Sequence, residues 1–256
     1  MKERPILFSA PMVRALLNGS KTQTRRVVKP QPANNWVFET PPVLGKITSA
    51  HSKRGRFGVL LHRGIGTKFP ECDLLPCPYG QPGDRLWVRQ EHYRFGHWEP
   101  VPDVKTKGDR QKWKFVADTE ETLYEAPDKY RKGRHHKDSA TPAWHKRLAR
   151  FMPRRLSVID LEITAVRVER LQDISELDAL NEGITSVRSF EWDSQHFPKW
   201  RSQFDDAITS GRKPPVGPLP SEHYRALWES INGPGSWDAN PWVWVVEFKK
   251  LEGPTP

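Results

Sequence analysis

The chain turns on Gly19-Ser20-Lys21-Thr22-Gln23-Thr24-Arg25-Arg26. Just before it, Met12, Val13, Leu16 and Leu17 recur at helical spacing, with Pro11 in a first turn that tolerates its missing N–H. Gly19 takes the position after the helix end, where a left-handed backbone meets no Cβ clash. From Lys21 through Thr24 and Arg26 a strand begins, Val27-Val28 continues it, and Pro30 and Pro32 end it. A turn glycine followed by hydroxyls and cations holds an anion or the polar edge of a base. The same composition also makes an ordinary solvated loop.

Working outward, Pro5-Ile6-Leu7-Phe8 reads as a first strand, and Pro82-Gly83-Asp84 as a turn. The turn opens the strand Arg85-Leu86-Trp87-Val88-Arg89, with Leu86 and Val88 facing a core and Arg85, Trp87 and Arg89 on the other side. Asp84 is expected as a turn residue. Ser157 to Val168 is the longest strand candidate. Its apolar phase moves after Thr164-Ala165, from Ile159, Leu161 and Ile163 to Val166 and Val168, which predicts a bulge.

Asp173 and Glu176 pattern as a capping box for a helix that Gly183 stops. Tyr224, Leu227, Trp228 and Ile231 form one helical stripe, opened at Ser221 or Glu222 and closed by Gly233. In Trp242-Val243-Trp244-Val245-Val246-Glu247-Phe248 large residues fall on both faces, the mark of a strand covered on both sides. The predicted class is α+β, mainly β: a small barrel flanked by helices, with long loop insertions.

The insertions are 31–81, with Phe57 to Leu61 as one strand, 92–150, with Trp113 to Ala117 as one strand, and 185–220. The second carries a basic run containing Arg131, Lys132, Arg134, His135 and His136. That run is either a solvated loop or a contact with phosphates.

The 256 residues carry a net charge of +10, which favours a polyanionic partner, RNA or DNA. Trp and Phe, 11 of each, are enough to build a core, so the chain is not a disordered one. Cys72 and Cys77 make no disulfide scaffold, and a zinc site would need two further ligands, so no metal is expected. There is no G-x-x-x-x-G-K-[ST] loop, no H-E-x-x-H and no G-x-G-x-x-G, so no cofactor is expected either. No apolar run approaches a membrane span and the first residues are no signal peptide. A cytoplasmic protein is the expectation.

Four pieces in order then resemble the ASCH family (activating signal cointegrator homology) of the PUA-like β-barrel superfamily. Its hallmark G-x-K-x-x-T-x-R is matched by Gly19, Lys21, Thr24 and Arg26. The others are Gly83 to Arg89, the strand Asp160 to Val168 with its following helix, and Trp242 to Lys249. The likeness is strongest to the large ASCH-domain proteins of phages and prophages, which open much like Pro5 to Val13 and carry a segment similar to Cys77-Pro78-Tyr79-Gly80. Such a chain is implied to be one PUA-like domain over 1–252, with its barrel core at about 5–30, 82–92, 155–184 and 221–250. A bacterial host cytoplasm is implied as its location.

The resemblance implies RNA, DNA or a modified nucleoside as ligand, in a cleft between barrel and helices. One bacterial branch removes the acyl group of N4-acetylcytidine, using the hallmark lysine and threonine with a glutamate later in the chain; other members are ribonucleases. Lys21 and Thr24 carry over by motif. In the phage branch a glutamate follows the strand arginine directly, where Gln90 stands here, so Glu91 is the candidate catalytic carboxylate. A slip of one residue turns a strand side chain to the other face, and Glu91 would need a bulge to reach the cleft. Gly19, Arg25, Arg26, Trp87 and Arg89 are the expected ligand contacts, Trp87 by stacking on a base, with Arg131, Lys132 and Arg134 on phosphates. A non-catalytic RNA- or DNA-binding module is the alternative.

Overall fold

The computed structural model describes residues 1–48, 51–68, 70–134, 138–184 and 195–252. Its contacts divide the chain, where one domain was expected, into two compact units: Met1–Arg4, Pro11–Leu86 and Asp160–Pro256 in the first, Pro5–Ala10 and Trp87–Ile159 in the second. Strands dominate both, so the α+β, mainly β class holds.

Strands β1 (Glu3–Leu7) and β2 (Gln23–Val27) flank helix α1 (Ala10–Leu17) in sequence. The short strands β3 (Val37–Phe38) and β4 (Leu44–Lys46) precede β5 (Phe57–Arg63), β6 (Glu71–Pro76) and β7 (Arg85–Arg89). The second unit contributes β8 (His92–Lys105), β9 (Gln111–Leu123) and β10 (Ala143–Arg147). Then come β11 (Asp160–Arg170), α2 (Glu176–Asn181), α3 (Pro198–Thr209), α4 (Pro220–Asn232) and β12 (Trp242–Lys250).

The main sheet runs β1-β7-β11-β12-β2. Strand β12 lies between β11 and β2, antiparallel to both, and its side chains on both faces are largely buried, as its composition predicts. Val243, Trp244, Val245 and Val246 are each at most 1% exposed. Each fully buried side chain of this kind contributes roughly 1.5–3 kcal/mol. The register of β11 on β12 shifts between Ile163 and Ala165, the bulge expected from the phase change. On one face Val243 and Val245 pack with Leu171, Ile174, Ala179, Ile184, Tyr224 and Trp228, so α2 and α4 share this core.

The sheet is open among the described residues, with β1 and β2 as its edges, and not the closed barrel expected. Just before β2 the chain meets the end of α2 instead of another strand. Thr22 accepts from the Phe248 N–H on one side and donates to the Asn181 carbonyl on the other, at 2.8 Å each. Lys21 and Glu182 add an isolated antiparallel bridge. A helix end covering an edge satisfies backbone groups that would otherwise invite pairing.

Three local expectations shift. Leu17 is 56% exposed, and Ala15 takes its place in the buried face of α1. The cap of α2 is Ser175, whose side chain accepts from the Asp178 N–H, not Asp173. Ile231, at the end of the α4 stripe, is 57% exposed while His223 is fully buried.

The insertions are more regular than their sequence. Residues 31–81 hold a four-stranded antiparallel sheet in which β5 pairs with β3, β4 and β6. Strands of two and three residues are too short to show a period. Residues 92–150 form the sheet β10-β8-β9, not one strand in a loop. Its strands were hidden because β8 buries His92 and Arg94 where alternation calls for apolar residues. Within 185–220, α3 follows Pro198, with Trp200 and Phe204 one helical turn apart and in ring contact. No helix is long and apolar enough to cross a membrane among the described residues.

Candidate functional site

The opening stretch folds into a buried charged site in the first unit. Gly19 adopts φ +78°, as a residue after a helix end should, and the chain drops from α1 into β2. Lys21 donates its N–H to the Ala15 carbonyl at 3.0 Å and is only 3% exposed. Its Nζ donates to Glu182 twice, to the carboxylate Oε2 at 2.8 Å and to the backbone carbonyl at 2.9 Å. Gly183 permits this approach. Its φ is +85°, and a Cβ there would lie 2.7 Å from the Ala15 Cβ and 3.0 Å from the Lys21 Cβ.

Arg25 sits behind the pair, with no side-chain exposure. Its Nε donates to Glu169 at 3.1 Å, its Nη2 to Asp178 at 3.0 Å and also to Glu169, and its Nη1 reaches Glu182 at 3.4 Å. Arg167 extends the network, donating to Glu169 at 2.9 Å, to Asp178 at 3.0 Å and to Glu247. Lys21, Arg25 and Arg167 thus interlock with Glu169, Asp178, Glu182 and Glu247. Removing charges from water costs several kcal/mol per ion unless partners compensate. Here β2, β11, β12 and α2 each supply a member, so the elements hold Glu182 in one place.

Burial pushes the Lys21 ammonium below its ordinary value; the Glu182 carboxylate opposes the shift, and Arg26 and Arg25 add to it. Burial lifts the Tyr224 phenol well above its usual range, and the Glu182 charge lifts it further, so it stays protonated. The charges of Arg25 and Arg167 outweigh burial at Asp178, whose carboxyl is held low.

Thr24, 2% exposed, faces a narrow cavity of about 80 Å³. Glu182, Arg26, Tyr224, Leu227 and Trp228 also line it. This is room for two or three waters, at about 30 Å³ each. Trp228 is 5% exposed and its indole Nε1 has no acceptor among the described residues. Buried indole N–H groups usually find one, so an acceptor on a ligand would complete it. Thr24 and Glu182 are therefore brought to one cavity, with Lys21 one hydrogen bond behind Glu182.

The other expected site residues lie elsewhere. Glu91 is in the second unit, where its carboxylate pairs with the Lys146 Nζ at 2.7 Å. The carboxylate that meets Lys21 is Glu182. Trp87 is 8% exposed, with the Arg89 guanidinium 4.6 Å from its ring centre and Arg154 at 5.9 Å. Arg89 also donates to the Arg150 carbonyl. Arg25 has its donors engaged by carboxylates, which makes it a positioning residue, while Arg26 lines the cavity. Arg131 pairs with Asp138 at 2.7 Å, Arg134 lies 4.2 Å from the Trp113 ring centre, and Lys132 is exposed. His135 and His136 lie outside the described residues.

Asp84 serves its turn, accepting from the Lys2 N–H at 2.8 Å and the Arg4 Nη1 at 2.9 Å. Sequence reasoning missed Glu182, Trp228 and the acidic members of the network. One signal pointed to Glu182. A carboxylate at the C-cap of a helix sits against the negative end of the dipole, which is unfavourable without a local cation.

No protein-family model, curated protein or solved structure matches the chain.

Proposed function

We propose that the chain is an ASCH-type amidohydrolase that removes the acyl group from an N4-acylated cytidine at the Thr24–Glu182 cavity. The observation that carries this reading is the buried Lys21–Glu182 pair, joined at 2.8 Å beside a buried threonine. The resemblance assigns amide hydrolysis to the hallmark lysine and threonine with a glutamate soon after the strand arginine; this reading gives that role instead to Glu182, the carboxylate that meets Lys21. A PUA-like ancestry is compatible with the sheet, read as an opened barrel.

In this mechanism the acyl group enters the slot and the nucleoside stays at its mouth, because about 80 Å³ does not admit a base and a ribose. Glu182 takes the proton of the Thr24 hydroxyl, and the Thr24 oxygen attacks the acyl carbon. The amide C–N bond breaks, and the proton passes to the departing cytosine amino group. Water then hydrolyses the acyl-threonine. The Trp228 indole N–H and the protonated Tyr224 phenol are donors for the oxyanion. Lys21 positions the carboxylate.

The test is release of cytidine from N4-acetylcytidine, followed by chromatography. Wild type should produce cytidine, and Thr24→Val and Glu182→Gln should not. Equal rates in wild type and Thr24→Val would refute the assignment. A second reading, binding of nucleic acid without chemistry, is favoured by the net charge of +10. It predicts no cytidine release, and RNA affinity that falls steeply with salt.

A further inference from the structure

A second cavity of the first unit shares no lining residue with the Thr24 slot. It encloses about 610 Å³, within the range of small-molecule sites, roughly 300–1,000 Å³. Lys2 and Arg4 reach it from the start of β1, Lys46 from the end of β4, and Arg54 and Arg56 from the turn before β5. That turn is braced by backbone bonds from Arg54 to His51, Gly55 to Ile47 and Arg56 to Lys53, at 2.9–3.1 Å. Phe57 stands opposite Lys46 in the β4–β5 register and gives the cavity a half-buried aromatic face.

Among the described residues its one acidic lining residue is Asp84, which Arg4 and the Lys2 N–H already engage. No carboxylate among the described residues pairs with the side chains of Lys2, Lys46, Arg54 or Arg56. Several other cations of this unit are paired: Lys53 with Asp73, Arg63 with Glu71, and Arg25 and Arg167 with their carboxylates. Unmatched like charges around one concavity repel each other and focus a positive potential into it. Such a potential favours the entry of an anion.

We propose that this cleft binds closely spaced phosphates, held either as the triphosphate tail of a free nucleotide or as consecutive phosphates of a single-stranded nucleic acid. The arginines give forked donors suited to phosphate oxygens, the lysines add point charges, and Phe57 is placed to meet a base.

Two ligands separate the sources: adenosine triphosphate by calorimetry, and a 5′-labelled oligouridylate of about twelve nucleotides by anisotropy. Full-length wild type should bind one of them. Arg54→Ala/Arg56→Ala should weaken that binding about tenfold or more. In the oligonucleotide arm it should also flatten the slope of log affinity against log salt by about 1.4, at about 0.7 per lost phosphate contact. All three substituted cations are exposed, and Lys46→Ala serves as an independent, milder variant with the same direction of effect. Binding of the triphosphate alone identifies a free nucleotide, and binding of the oligonucleotide alone identifies a chain. The proposal is overturned if wild type binds neither, or if both variants bind within twofold of wild type.

Discussion

Replacing Glu182 by Gln removes one negative charge and almost no volume, and it tests whether the buried pair is what organises the site. In the wild type the carboxylate meets the Lys21 Nζ at 2.8 Å and Arg25 at 3.4 Å. Glutamine keeps an acceptor for Lys21 but leaves the ammonium buried without its counter-charge. Breaking a buried pair from one side costs about 3–5 kcal/mol. Arg25 retains Glu169 and Asp178, so the lower figure is expected, about 3 kcal/mol at pH 7. In a chain of this size that is a fall in Tm of roughly 6–12 °C. Lys21 can escape the penalty by losing its proton. Burial already depresses its folded pKa, and removing Glu182 takes away the charge opposing that shift. Wherever the folded state binds fewer protons than the unfolded one, stability rises with pH. The variant enters that window at lower pH than wild type, so its deficit should shrink as pH rises from 7 towards 9.5. Urea unfolding at both values reads this directly. A deficit under about 0.5 kcal/mol, typical of an exposed pair, or one that does not change with pH, would refute the account of Lys21 and Glu182.

Other substitutions separate chemistry from stability. Thr24→Val should lower deacylation by at least about a hundredfold with the far-UV circular dichroism spectrum unchanged; retention of most activity would remove Thr24 as the nucleophile. Gly183→Ala places a Cβ against Ala15 and Lys21 at a backbone of φ +85°. Strain of about 1–2 kcal/mol and overpacking of about 1–3 kcal/mol should appear together in urea midpoints. Asp84 is held below its ordinary pKa, because bonds from the Lys2 N–H, Arg4 and the Gln81 N–H outweigh its burial. A depressed carboxyl stabilises fully above its unfolded pKa of 3.8, and that share is lost as pH falls through the folded value. Asp84→Asn should therefore cost about 1.5–3 kcal/mol at neutral pH, with the two unfolding curves converging in acid.

Elements whose apolar period is long were readable from the chain. The last strand declared its two-sided burial through Trp244 and its valines, and the bulge at Ile163 to Ala165 followed from a phase change along β11. The α1 turn was readable because Gly19 has few other reasons to stand there. Elements held by pairing alone were not. Strands β3 and β4 are defined by bonds to β5 across sequence gaps that no local window spans. Strand β8 buries His92 and Arg94, so its inner face does not look like one. The end of α2, which the chain meets just before β2, comes from more than 150 residues away.

The same logic explains why half of the candidate site was legible. Lys21 and Thr24 lie in one short stretch, where residue type and spacing can be read together. Their carboxylate comes from a helix end distant in sequence, and Glu91 attracted the role only through its nearness to a strand arginine. Yet Glu182 carries a physical anomaly of its own. A helix of six residues with Glu176 and Asp178 in its first turn is well served by its dipole at the start and opposed by it at Glu182. A charge that is unfavourable locally must be stabilised from outside, and Lys21 and Arg25 do so here. Isolated ion pairs of this kind seldom raise stability over apolar packing. A buried network that spans four elements and ends on a threonine-lined cavity is therefore better explained by the placement of one carboxylate than by the strength of the fold.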